Sequence, residues 1–263
     1  AYTMTTANTA APVPTEIMNR IVDLVQSSTA IYSDATKSGM TSGFAIPRIK
    51  SIEQGDAKET AEGVANDDEQ DTWDQLSLDG VEIKKHLVIT RKMTWQSIAA
   101  FETWIAEHLA RRIGNAKDKR CITQLNSTTY GIDTDNVLTD QAYDDAAIRG
   151  IMAKVKEEGV RCVYANSNTV WNGLFGIQDA NKRPIFLPDQ TGDPKIAGYI
   201  YGAAVKIDEN VADNTAYVGV PSSLLANNFE ELYISNQQEA KTFNTVVGGY
   251  SLFDAGLENP KAF

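Results

Sequence analysis

Between residues 94 and 125 the sequence holds no proline and a single glycine, Gly114. Ile98, Phe101, Ile105, Leu109, Ile113 and Ala116 recur there in steps of three and four, the spacing of one face of an α-helix. At about 1.5 Å per residue such a helix spans roughly 45 Å, more than the diameter of a small domain. A chain carrying it cannot close into a small sphere. The helix must run as a strut, with other elements laid along it.

The segment just before the strut is different in kind. Residues 53–80 carry Glu53, Asp56, Glu59, Glu62, Asp67, Asp68, Glu69, Asp71, Asp74 and Asp79 against Lys58 alone, with few large apolar side chains. Such a stretch cannot bury a core of its own. Strand-like sequence flanks it: 44–52, interrupted by Pro47, and then Val81, Ile83, Leu87 and Ile89. The pattern predicts two strands around a long polar excursion, an extended hairpin arm on a globular body. Excursions of this length inside compact domains are uncommon and usually functional.

Elsewhere the elements are shorter. Residues 1–14 are mostly Thr, Ala, Asn and Pro, a tail that is disordered unless a neighbouring subunit holds it. Ile17, Ile21, Leu24 and Val25 predict a short helix. Thr139 or Asp140 can cap a helix that runs to Glu158 and stops at Gly159. A strand over 160–164 follows, then Asn166, Ser167 and Asn168 cap a short helix through Val170, Trp171, Leu174 and Phe175. Strands at 198–207 and 216–220 complete a small α/β domain. Residues 232–263 read as strands with turns at Gly248-Gly249 and Asn259-Pro260.

Catalytic arrangements are not found. The chain has no phosphate loop, no G-x-G-x-x-G and no G-x-S-x-G elbow. Gly39-Met40-Thr41-Ser42-Gly43 has the wrong order for that elbow and reads as a turn. The two histidines, His86 and His108, have no ligand or base partner at useful spacing. Cys121 and Cys162 lie far apart and fit two reduced thiols. Asp133-Thr134-Asp135-Asn136 lacks the glycine and glutamate of a calcium loop and reads as a capped turn. A net charge of −11 disfavours general nucleic-acid binding. No apolar run approaches the roughly 20 residues of a membrane helix. With no signal peptide at its start, the chain is expected to be cytosolic when made.

Charge distribution says more than motifs do. The acidic arm has its opposite in the distal half of the strut: Arg111, Arg112, Lys117, Lys119 and Arg120. Cations near a helix C-terminus also suit its dipole and can simply face water. The functional expectation is an inter-subunit contact. One copy's Asp67, Asp68, Glu69, Asp71 and Asp74 would lie over the next copy's basic helix, and weak contacts would add across many copies.

The order of parts resembles the major capsid proteins of tailed bacteriophages, the Hong Kong ninety-seven fold. Ala61-Glu62-Gly63-Val64-Ala65 resembles the A-E-G element of that family's extended loop, and 95–126 its spine helix. Tyr164-Ala165-Asn166-Ser167-Asn168-Thr169-Val170-Trp171 and Asp179-Ala180-Asn181-Lys182-Arg183-Pro184-Ile185-Phe186 resemble stretches of its axial domain. The resemblance spans nearly the whole chain.

It implies an α+β fold of stated parts: an N-terminal arm over 1–30, an extended loop over 44–92, a peripheral domain with the spine helix over 31–43, 93–136 and 229–263, and an α/β axial domain over 137–228. It implies a structural subunit without catalysis or cofactor. Copies would form hexamers and pentamers of an icosahedral shell around double-stranded DNA, put together in the host bacterial cytoplasm. Portal, scaffolding and decoration proteins would be partners. No scaffold-like helix precedes Thr15, so a scaffold would be cleaved, separate or absent. Some members cross-link a lysine after the A-E-G element to a C-terminal asparagine. Here Asn66 follows Ala65, and the matching C-terminal stretch is Val246-Val247-Gly248-Gly249, so no such bond is expected. The main alternative is an encapsulin-type compartment shell enclosing cargo enzyme. An α/β enzyme with an acidic lid is a weaker one, since no nucleophile or base is present.

Overall fold

The computed structural model describes residues 29–40, 45–49, 62–63, 73–90, 98–139, 142–179, 181–190 and 195–263. The polar tail, the helix expected around Ile17 to Val25 and most of the acidic excursion lie outside them.

The elements are α1 (Ile31–Asp34), β1 (Thr36–Ser38), β2 (Ala45–Ile49), β3 (Trp73–Ser77), β4 (Val81–Ile89), α2 (Ile98–Leu125), α3 (Asp145–Lys154), β5 (Cys162–Ala165), β6 (Leu187–Pro188), β7 (Ile196–Ile200), β8 (Ala203–Ile207), β9 (Ala216–Gly219), β10 (Leu224–Gln238) and β11 (Thr245–Leu257). The fold is α+β, as expected.

Helix α2 is the strut that the sequence predicts. It lies against a four-stranded sheet of order β1-β10-β11-β4, whose centre is the long antiparallel ribbon of β10 and β11. Leu109 and Ile113 point into the sheet and are buried, followed about two and three turns later by Cys121 and Leu125. They pack with Ile31, Tyr32, Phe253 and Leu257 in the main core, and with Ile89 and Val247 beside it. Each fully buried aliphatic side chain contributes about 1.5–3 kcal/mol.

A second sheet has the order β6-β7-β8-β5-β9. β5 is its centre, parallel to β8 and antiparallel to β9. Strand alternation lets β5 serve two cores at once. Cys162 and Tyr164 join the main core, while Val163 and Ala165 join a second core with Ile148 of α3, Val170, Leu174, Phe186 and Val205. That alternation is what welds the α/β part to the strut.

Several local expectations are corrected. β4 does not close a hairpin with β2. β2 pairs with β3, which the sequence reading placed inside the polar excursion, and β4 runs along the outer edge of β11. Alternation over 81–89 could not choose between these partners. Helix α3 starts later than expected because Asp144, not Thr139 or Asp140, is the cap: its carboxylate accepts from the Ala147 amide at 2.7 Å. It also ends sooner, at Lys154. The turn expected at Gly248-Gly249 is instead strand. The chain reverses at 239–244, where Phe243 takes φ 54° and the Phe243 amide donates to the Glu239 carbonyl at 2.9 Å. Gly249 lies beneath α2, where an added Cβ would meet Ile113 Cδ1 at 2.9 Å. The glycine there serves close approach of helix and sheet. The Asn166 cap is borne out, since its side-chain oxygen accepts from the Thr169 amide at 2.8 Å.

Candidate inter-subunit surface and the buried polar joint

The five cations expected to face a neighbour fall into two groups. Arg111 and Arg112 are exposed and, with Glu107, His108 and Asn115, line an open cleft of about 300 Å³. Lys119 is exposed as well. Lys117 and Arg120, expected beside them on an outward face, are drawn into the subunit instead.

Lys117 is only 2% exposed. Its Nζ donates to Asn228 Oδ1 at 2.8 Å and to the Glu231 carbonyl at 3.3 Å. It also sits 5.5 Å from the Tyr32 ring centroid and 5.4 Å from that of Phe253. Burial pushes the amine down to about 8, against the pull of the Glu231 carboxylate. Arg120 Nε donates to Asp254 Oδ1 at 2.9 Å, with Asp254 nearly fully buried on β11. The signal for Lys117 was available in the sequence. The four-residue row Ile105, Leu109, Ile113, Lys117, Cys121, Leu125 puts it in the middle of the buried stripe.

On the acidic side, Asp67, Asp68, Glu69 and Asp71 lie outside the described residues. Asp74 is described as backbone, in β3 in register with Arg48 of β2.

Sequence reasoning missed a second polar cluster, buried between α2, α1 and the end of β8. Asp118 and Asp208 are both almost fully buried. Asp118 Oδ1 accepts from the Tyr32 amide at 2.9 Å, and Asp208 Oδ2 from the Ile31 amide at 3.4 Å. Asn210 spans both, giving its side-chain amide to Asp118 Oδ2 and its backbone N–H to Asp208 Oδ1, each at 3.0 Å. Burial, together with the facing Asp208, pushes the Asp118 carboxyl up to about 8. No local motif marks this pair. Asp118 reads as one more helix charge and Asp208 as a turn residue, and only the fold brings them together.

The outer end of the second sheet carries an apolar shelf. Trp171 and Phe175 are each 47% exposed and Leu187 is 62% exposed; the two rings are tilted against each other and both make edge contact with buried Phe186. Among the described residues no group of His, Cys, Asp and Glu side chains could hold a metal ion. Cys121 and Cys162 are buried free thiols. Among the same residues no helix is long and apolar enough to cross a membrane.

A family model described as the phage capsid family matches residues 9–263. Solved structures share the fold. The capsid of a native GTA particle is 15% identical with a TM-score of 0.66, covering 90% of this chain and 88% of that one. A chain of Microbacterium phage Oxtober96 is 14% identical with a TM-score of 0.65, covering 90% and 89%. One of Mycobacterium phage Bobi is 12% identical with a TM-score of 0.63, covering 88% and 84%. No curated protein sequence matches the chain.

Proposed function

Because the chain belongs to the phage capsid family, we propose that it is the major head subunit of a tailed phage, whose copies build hexamers and pentamers of an icosahedral shell around double-stranded DNA. The observation that carries this reading is the family match over residues 9–263, which takes in both sheets and the strut. The role is structural, in the virion shell, and assembly takes place in the host bacterial cytoplasm. Portal and scaffolding proteins, and a decoration protein where one is used, are the partners. DNA is enclosed without sequence readout, which agrees with a net charge of −11.

Copies are held together in part by charge. The acidic arm of one copy, through Asp67, Asp68, Glu69, Asp71 and Asp74, meets the exposed cations Arg111, Arg112 and Lys119 of the next. Lys117 and Arg120 support that surface from within the subunit.

Electron microscopy of the purified protein, with light scattering for mass, tests the main reading. Closed icosahedral particles or capsomer rings support it. Particles holding cargo enzyme and no genome in the native host would replace it with the encapsulin-type shell. A monomer that stays inert when candidate scaffolding and portal proteins are added overturns it.

A further inference from the structure

We propose that Asp118 and Asp208 hold one shared proton and form a latch between the strut and the second sheet, a latch that opens when alkali removes that proton. The inference concerns a joint within one subunit and does not depend on how subunits assemble.

Two consecutive α1 amides and Asn210 bring the two carboxyl groups together in one buried site. Burial and a facing carboxyl both favour the protonated form of one of the pair, and a single proton lets one carboxyl donate to the other. The surroundings are built for the pair. Asp118 comes from α2, and Asp208 follows β8 directly. The backbone between them is α1, whose two consecutive amides, Ile31 N and Tyr32 N, divide themselves between the two side chains. Asn210 does the same from the other side. The carboxyl pair therefore closes the contact of three elements at one point. Ile31 is fully buried and Tyr32 is 3% exposed, so water does not stand in for these bonds.

Among the described residues, the charged and titratable neighbours do not neutralise a second negative charge. On α1, Asp34 is held by Lys206 Nζ of β8 at 2.7 Å and by the Tyr164 hydroxyl of β5 at 2.5 Å. On α2, Lys117 is committed to Asn228 and the Glu231 carbonyl, and the Cys121 thiol is pushed up by burial and by the nearby carboxylates. On β11, Asp254 is paired with Arg120. Burial keeps the Tyr32 and Tyr164 phenols neutral. The nearby cations thus have partners, and the pair is left with its proton.

Removing the proton leaves two facing negative charges in a buried site, which repel and draw in water. The α1 amides then lose their fixed acceptors, and the strut loosens from the second sheet.

The test is native-state amide exchange at Ile31 and Tyr32 in the full chain from pH 6 to 9.5, corrected for intrinsic exchange chemistry. Wild type is compared with Asp118→Asn, whose carboxamide reproduces the neutral, donating form. The expected result in wild type is opening that grows about tenfold per pH unit from pH 6 to about 8 and levels off above it, with no such growth in D118N. Lys117 is unchanged between the two proteins, so its own titration cancels. Parallel profiles in the two proteins overturn the proposal. Should D118N fail to fold, Asp208→Asn takes its place. Should both fail, isotope-edited infrared spectroscopy of wild type decides: a protonated aspartate band at pH 7 that disappears on alkalinisation supports the latch, and no such band overturns it.

Discussion

Arg120 and Asp254 meet at 2.9 Å across the seam between strut and ribbon, and the same Asp254 oxygen accepts from the Gln124 side chain at 3.0 Å. The other oxygen takes the Asp79 amide at 3.1 Å, just ahead of β4. One nearly buried carboxylate thus fixes two turns of α2 and the entry to the edge strand. Asp254→Ala leaves these donors without acceptors, an expected loss on the order of 3 kcal/mol. Arg120→Met costs less, because the Arg120 side chain is 28% exposed and water can take over part of its role. Urea denaturation of both variants checks the order. Equal losses would mean that Asp254 acts through the ion pair alone.

Lys117 sets a second prediction. An amine held at about 8 in the fold and 10.5 when unfolded binds fewer protons in the native state across that interval. Its contribution is therefore present above 10.5 and is lost as pH falls through 8. Stability gained from this group as pH rises from 8 to 10.5 is on the order of 3 kcal/mol. Lys117→Met fills the same slot without a charge and should abolish that rise. Thermal midpoints of wild type and K117M at pH 8 and 10 decide it. Curves that stay parallel would refute the assignment.

These two residues also show where the sequence spoke and where it did not. The strut was legible because 3.6-residue periodicity is a property of the segment alone, and the α+β class followed from the order of such segments. The same periodicity placed Lys117 in the buried row, yet its charge argued for the surface. Only Asn228, the Glu231 carbonyl and two aromatic rings, far along the chain, make burial tolerable. Asp118 and Asp208 were invisible for the same reason, being 90 residues apart in the sequence. Strand pairing was the weakest part. Val81 to Ile89 alternate as well for β2 as for β11, and the choice of β11 rests on long-range packing.

Gly219 gives a third prediction. It closes β9 against the C-terminal turn, where an added Cβ would lie 2.5 Å from the Ala262 carbonyl oxygen and 2.5 Å from the Phe263 ring. Its neighbour Val220 donates to that same carbonyl at 2.9 Å, so the oxygen cannot swing away freely. Gly219→Ala is expected to cost about 1–3 kcal/mol by overpacking and to release the terminal residues. Faster carboxypeptidase trimming of the variant measures the release. Unchanged trimming with unchanged stability would rule it out.

A fourth concerns covalent chemistry. Asn66 follows Ala65 where cross-linking members carry the lysine, and Val246 to Gly249 hold no glutamate, so the cross-link of those members is not expected here. Assembled particles should run as a single monomer band on a boiled, reduced gel. A ladder of multimers would overturn this.

The last prediction addresses the surface between copies. Arg111 and Arg112 are exposed, so each contact with a carboxylate contributes only about 0–1 kcal/mol. Such pairs matter because a shell repeats them in every copy, and each copy holds several neighbours at once. The double variant Arg111→Glu and Arg112→Glu should therefore leave the folding midpoint of the isolated subunit within about 1 kcal/mol of wild type, since neither residue enters a core. Assembly should respond much more strongly. Charge reversal turns an attraction to the acidic arm into a repulsion, so the yield of particles should fall several-fold at low salt. Raising the salt screens exposed charges over about 10 Å at 0.1 M and closer in beyond it, so wild-type yield should fall while the variant's partly recovers. Sedimentation across a salt series reads both curves. If they coincide with assembly yield unchanged, the arm does not lie on this stretch of the helix. The subunits would then be held by another surface, with the apolar shelf of Trp171, Phe175 and Leu187 the next to mutate.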